Sequence, residues 1–287
     1  MFNYLGWNPV LTNSISFDAK AHELRRLRIE HIDIMAIGSS MTLNNLKTST
    51  IDKFIPDDAR YYNLASWGLT LADLEWLIDL FIDVYDPKVI IMASSPLDFQ
   101  PSKQKLTSAL NLSTYINGFW EGYYFIRNLE LLRLFDRQQL YERYKAAGNN
   151  SYHLLSFDKG GGVNFDIAPQ NIDSTRWNRP FDPPQAEQYK NLERICDKLK
   201  KQDIIFVFAQ VPLKRDYYSG YKEQLNEHFN LSKSIVEGSG HLYLNLHNEN
   251  IYKNTFFCDQ IHLNGNGAVQ FTRALMEQLP MEQLLEN

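Results

Sequence analysis

Residues 33–42, DIMAIGSSMT, decide how the rest of the chain is read. Four apolar residues in succession are followed by Gly38 and then by the hydroxyls of Ser39 and Ser40. Apolar residues at consecutive rather than alternating positions are what a strand covered on both faces requires. Glycine permits a tight turn, and serine is a preferred residue at the start of a helix. The stretch therefore reads as buried strand, turn and helix, which is the repeating unit of an α/β protein.

Four similar runs lie further along, at 61–64, 88–93, 203–209 and 241–246, giving five strands with 33–37. Between them fall segments of helical period. Leu74, Leu77, Ile78 and Phe81 recur at helix spacing within 71–84, and 185–201 is rich in Glu, Lys and Leu behind Pro183 and Pro184. A last helix is expected over 264–279, closed by Pro280. Alternating strands and helices predict a five-stranded, parallel, doubly wound sheet in three α/β/α layers.

Residues 101–184 interrupt this rhythm, because a crossover between the third and fourth strands needs far fewer residues. The stretch holds an aromatic-rich helical segment at 119–145 and a polar loop with Gly160, Gly161 and Gly162. The expectation is a single domain over 1–287, with 101–184 inserted over the working edge of the sheet. At 287 residues and 44% hydrophobic content, the chain can bury a core of that size.

A net charge of −5 offers no broad basic surface for a phosphate backbone, so nucleic acid is not an expected partner. Cys196 and Cys258 make neither a disulfide framework nor a CxxC pair. No run approaches the roughly 18 apolar residues of a membrane span. The opening MFNYLGWNPVLTNSIS lacks the basic and then apolar stretches of a signal peptide. A soluble, cytoplasmic protein is the expectation.

In open parallel sheets, ligands bind beyond the carboxyl ends of the strands, so the residues that follow each strand carry the functional reading. After the first strand, Ser40 is either a nucleophile at a helix N-terminus, where developing negative charge is favoured, or with Ser39 a plain helix cap. After the fifth strand come Asp259 and His262, which a helical turn would bring to one side. A carboxylate on one imidazole nitrogen leaves the other free to take a proton from serine. After the second strand, Gly68 can bring a backbone N–H close to a substrate oxygen or simply make a turn. After the third, Ser95 offers a hydroxyl or an N–H as a further oxyanion donor.

Other readings of the same residues are weaker. His241, His247, Cys258, Asp259 and His262 fit no compact zinc spacing. The DKGGG run at 158–162 lacks the Gly-Lys-Ser/Thr ending of a phosphate-binding loop and reads as a flexible turn. Phe119, Trp120, Tyr123, Tyr124 and Phe125 serve either core packing or a sugar or acyl pocket. Arg176, Trp177 and Arg179 are candidates to face an anionic or glycan substrate. No metal or other cofactor is expected.

These loops together resemble the SGNH (GDSL-like) hydrolase superfamily. Its first block is similar to Gly38-Ser39-Ser40, which implies Ser40 rather than Ser39 as nucleophile. Its second block is similar to Asn63 through Gly68, and its last, D-x-x-H-x-x-x-x-G, to Asp259, His262 and Gly267. The resemblance implies the flavodoxin-like SGNH fold, His262 as base oriented by Asp259, and Asn63, Gly68 and Ser95 as oxyanion or substrate-binding residues. The family's third block supplies an oxyanion asparagine, whereas this strand ends in Ser94-Ser95-Pro96-Leu97-Asp98-Phe99. That ending looks more like polysaccharide-modifying members such as the D-alanyl transfer protein of the teichoic-acid pathway. The implied activity is an esterase or O-acyltransferase on an acylated carbohydrate or small ester, with an acyl-donor protein or carrier as a candidate partner. A fold that binds glycans without turnover is the alternative.

Overall fold

The computed structural model describes residues 11–100, 106, 115, 116, 139, 155–165, 181–248 and 250–286. The chain divides into two compact units, residues 1–30 with 106–156 and residues 31–105 with 157–287. In the first, helix α1 (Ile15–Leu27) begins at Ser14, whose hydroxyl accepts the Phe17 N–H, and ends on Arg28 in a left-handed conformation. Its buried Asp18 accepts hydrogen bonds from the Thr12 N–H and hydroxyl. Apart from residue 139, the aromatic segment 119–145 lies outside the described residues, as do Arg176, Trp177 and Arg179.

The second unit holds the sheet. Strands β1 (Ile34–Ala36), β2 (Tyr61–Asn63), β3 (Val89–Ser94), β4 (Ile205–Gln210) and β5 (Leu242–Asn245) occupy the five expected runs. They pair in the order β2-β1-β3-β4-β5, and every pair is parallel. The fold is thus the expected α/β one, with a flavodoxin-like strand order. The chain leaves β1 toward β2 on one side and returns to β3 on the other. The loops after β1 and β3 therefore diverge and open a crevice between them, the place where such sheets bind ligands.

The consecutive apolar residues explain themselves in this setting. Ile34, Ala36, Val89, Ile91, Ala93, Val207 and Ala209 face a cluster that includes Met41, Leu46, Phe271 and Leu275. Their neighbours Met35, Ile90, Met92, Phe206 and Phe208 are equally buried and, by the two-residue period of a strand, face the other layer. There Phe208 stacks on Tyr243 and meets Phe99 edge-on. Helices α2 (Ser40–Asn45), α3 (Thr48–Ile51) and α8 (Gly265–Met276) pack together, as do α4 (Leu71–Tyr85), α5 (Ala186–Lys201) and α7 (Lys222–Gly238). A short α6 (Arg215–Gly220) precedes α7, and α9 (Met281–Glu286) follows α8.

Local chemistry sets the helix ends. Thr70 and Asp73 form a reciprocal capping box at the start of α4. Asn264 caps α8, which ends at Met276 rather than 279 because the chain already turns ahead of Pro280. Among the described residues, no helix is long and apolar enough to cross a membrane.

The DKGGG run forms the expected turn, in which the Asp158 carboxylate accepts hydrogen bonds from the Gly160 and Gly162 N–H groups and from the Thr48 hydroxyl. The Gly160 carbonyl in turn accepts the Asn63 N–H on the open side of β2.

Candidate active site

The site starts from a mismatch in strand length. β1 ends at Ala36, opposite Ile91, while β3 continues to Ser94. Beyond Ile91 the β1-facing side of β3 has no strand to pair with, and unpaired backbone groups in a buried place are costly. Thr42 in α2 fills the gap. Its hydroxyl accepts the Ala93 N–H at 3.0 Å and lies 2.8 Å from the Ala93 carbonyl and 3.0 Å from that of Ile37.

This packing explains Gly38. A Cβ there would lie 2.2 Å from the Thr42 hydroxyl oxygen, and the residue holds φ +147. Only glycine lets the turn close tightly enough for Thr42 to reach β3. The chain then enters α2 with Ser39 as its cap, accepting the Met41 N–H, and Ser40 as its first residue. Of the two serines, Ser39 is thus the cap, and Ser40, half-buried, is the first residue of the helix.

Asp259 and His262 meet Ser40 across the crevice. His262 Nε2 lies 2.9 Å from Ser40 Oγ, and His262 Nδ1 lies 2.6 Å from Asp259 Oδ2. The segment carrying them is not the helical turn expected from the three-residue offset. Instead Asp259 Oδ1 accepts the N–H groups of Ile261 and His262 at 2.8 and 2.7 Å, and the Cys258 N–H closes the loop on the His262 carbonyl. One carboxylate thus shapes the loop with one oxygen and meets the imidazole with the other. Burial alone would push the Asp259 carboxyl up, but the charge and hydrogen bonds of His262 and the two backbone N–H groups outweigh it and hold it below the ordinary range.

The surroundings fix both partners. Asn45 Oδ1, at the end of α2, accepts the Leu263 N–H, joining the serine helix to the histidine loop. Gly267 sits where a Cβ would come within 2.4 Å of the Phe256 carbonyl, so α8 can start only with glycine there. Residues 163–165 form a strap over the same region. The Val163 N–H bonds the Leu43 carbonyl, Asn164 Nδ2 reaches the carbonyls of Asn44 and Leu46, and the Phe165 carbonyl accepts the Gly265 N–H. The Phe165 ring meets the His262 ring edge-on at 6.0 Å.

The remaining expected residues occupy distinct places. Asn63 is fully buried, with Nδ2 donating to the Thr42 carbonyl and Oδ1 accepting the Ala65 N–H, so its side chain supports the loops. Gly68 lies exposed in a turn at φ +70. Ser95 is fully buried: its N–H is donated to Asp98 and its hydroxyl oxygen accepts the Leu97 N–H, which leaves only the hydroxyl proton as a donor.

His241 and His247 are engaged elsewhere, accepting the N–H groups of Phe206 and Leu213. Among the described residues, no three His, Cys, Asp or Glu side chains gather as a metal site. Thr42, Asn45, Asp98 and the strap were not found from sequence. Their roles depend on contacts between distant segments, and only the position of Asp98 just beyond a strand end could have signalled it.

No protein-family model and no curated relative matches the sequence. Among solved structures, the chain is similar to a provisionally assigned platelet activating factor from Streptococcus pneumonia, with TM-score 0.47, 10% identity, and coverage of 91% of this chain and 92% of that one. It is also similar to a provisionally assigned acylhydrolase from Bacteroides fragilis NCTC 9343, with TM-score 0.44, 10% identity, and coverage of 92% and 95%.

Proposed function

We propose that the protein is a serine-dependent acyl-ester hydrolase or O-acyltransferase acting on a carbohydrate, with Ser40 as nucleophile, His262 as base and Asp259 as its orienter. The observation that carries this reading is the continuous line from Ser40 Oγ through both nitrogens of His262 to Asp259, at 2.9 and 2.6 Å. In it the Asp259 carboxylate holds the proton on Nδ1, so Nε2 accepts the Ser40 proton as Oγ attacks the ester carbonyl. The tetrahedral oxyanion is met by the N–H groups of Ser40 and Gly68, neither of which has an acceptor among the described residues, and by the Ser95 hydroxyl. When the carbonyl re-forms, the ester oxygen leaves with the proton from His262. Water or a sugar hydroxyl, deprotonated by the same nitrogen, then releases the acyl group from Ser40.

The carbohydrate belongs to the reading through the motif resemblance alone. Incubation with an acetyl-ester donor, with and without glycan acceptors, tests it by mass spectrometry of the acyl group. Acetylated glycan in wild type and not in Ser40→Ala supports transfer; free acetate alone restricts the reading to hydrolysis. A binding protein without turnover is favoured by one observation: the place of the family's oxyanion asparagine is taken by a segment whose Ser95 N–H is already spent on Asp98. Absence of acetate release from every donor would favour that reading.

A further inference from the structure

Helix α2, which begins with Ser40, is only six residues long, too short to hold its own geometry in water. In any α-helix the carbonyls of the last turn have no partner within the helix. Here five successive carbonyls, those of residues 42–46, each accept a hydrogen bond from another segment. Asn63 Nδ2 donates to the first at 3.0 Å, the Val163 N–H to the second at 3.0 Å, and the Thr272 hydroxyl to the fourth at 3.3 Å. The other two, on Asn44 and Leu46, share one donor group: Asn164 Nδ2 lies 2.9 and 3.0 Å from them.

Asn164 is half-buried in the middle of the strap 163–165, and its two chain neighbours face different partners. Val163 pairs with α2 in both directions, its N–H on the Leu43 carbonyl and its carbonyl accepting Asn44 Nδ2 at 3.0 Å. Phe165 pairs with the other half of the site: its carbonyl accepts the Gly265 N–H at 2.8 Å, just beyond His262, and its ring meets the imidazole edge-on. The strap thus grips the serine helix with two residues and the histidine loop with the third. Ser40 stands at the opposite end of α2 from the Asn164 contacts, roughly 8 Å away along the helix axis. Over that lever a tilt of about 8° moves Ser40 by about 1 Å. The 2.9 Å hydrogen bond between Ser40 Oγ and His262 Nε2, lengthened by that much, is no longer one.

We propose that Asn164 is a positioning residue: its side-chain amide pins the C-terminal end of α2 to the strap that also holds the histidine loop, and so keeps Ser40 Oγ within reach of His262 Nε2. This rests on the reading of Ser40 as nucleophile. The hydrogen bonds of Asn164 go to backbone carbonyls, not to a reacting atom. The amide suits the place, because partial negative charge gathers on the carbonyls at a helix C-terminus. A carboxylate of the same shape would offer no donor and would add charge of the same sign.

The test is the rate of Ser40 labelling by a fluorophosphonate probe in Asn164→Ala and Asn164→Asp, with folded protein quantified by circular dichroism. Asn164→Ala is expected to slow labelling of the folded protein by about 10- to 100-fold, the cost of a nucleophile displaced by up to about 1 Å. Asn164→Asp should slow it further. A loss of fold alone acts differently: it lowers the fraction of protein that labels and leaves the rate of the remainder at the wild-type value. Val236→Ala, which shortens a buried side chain on α7, supplies that comparison, and its rate is expected to match wild type. A wild-type rate in either Asn164 variant, a fall in labelled fraction with no change in rate, or an equal slowing by Val236→Ala would overturn the inference while leaving Ser40 as nucleophile. An unlabelled wild type would overturn the Ser40 reading as well, so the wild-type lane tells the two failures apart.

Discussion

Asp259 divides its two oxygens between two tasks, and substitution can separate them. Asp259→Asn keeps an oxygen for the Ile261 and His262 N–H groups, so the loop should survive. What it loses is the acceptor that fixes the His262 tautomer. Ester turnover is expected to fall by about 10⁴-fold with little change in the melting curve, measured by stopped assay and circular dichroism. A comparable fall in stability would mean that the carboxylate is chiefly a loop former. At Asp98 the sign of the pH effect is reversed. Burial, opposed by its hydrogen bonds and by His262, leaves this carboxyl above its ordinary range. A raised folded value means that the charged form costs the native state stability above that value, and that the cost is relieved as pH falls toward the unfolded value. Asp98→Asn should therefore melt no lower than wild type at neutral pH, and the difference should shrink on acidification. A variant that melts several degrees lower at neutral pH would show the charge to be a net stabiliser.

At the scale of single elements, the junction between β1 and α2 depends on one hydroxyl. Thr42→Val keeps the shape but leaves the Ala93 N–H without its acceptor. A loss of about 1–3 kcal/mol in urea unfolding is expected; no loss would mean that water or a shifted strand supplies the missing partner. Gly38→Ala places a methyl against that same hydroxyl and should weaken both folding and labelling. This junction also shows what a sequence can and cannot reveal. DIMAIGSSMT announces strand, turn and helix because each is a local property of adjacent residues. That Thr42 completes a ladder left open by the shortness of β1 follows only from the pairing of β1 with β3. The same holds for the DKGGG turn, where the glycines are legible and the Asp158 carboxylate that fixes them is not. Helix α7, rich in polar residues, was not assigned from sequence, since its core-facing Leu225, Phe229 and Val236 are widely spaced among charges.

Over the whole sheet-bearing unit, acid should act through groups buried in one protonation state. His228 on α7 lies beneath Phe99, with Nδ1 at 2.8 Å from the Tyr189 hydroxyl, and burial lowers its value to about 3. A histidine held neutral in the fold and free to charge when unfolded loses its stabilising contribution as pH falls below its ordinary value of 6.5 toward that lower one. Asp259, held below 3.8, acts in the same direction at lower pH. Stability is expected to decline from about pH 6 downward, and His228→Gln should flatten the upper part of that decline in denaturant titrations at stepped pH. An unchanged slope would assign the acid sensitivity elsewhere. Strand order, too, is a property of the whole, and it is what brings the loops after β1 and β3 to the crevice between them. The five runs and the Asp259–His262 pair could be read along the chain; their convergence on Ser40 required the order in which the strands lie. The most direct test of that convergence is fluorophosphonate labelling followed by peptide mapping. A single adduct on Ser40, absent from Ser40→Ala, is the predicted result. Equal labelling of both proteins, or an adduct on another residue, would contradict it.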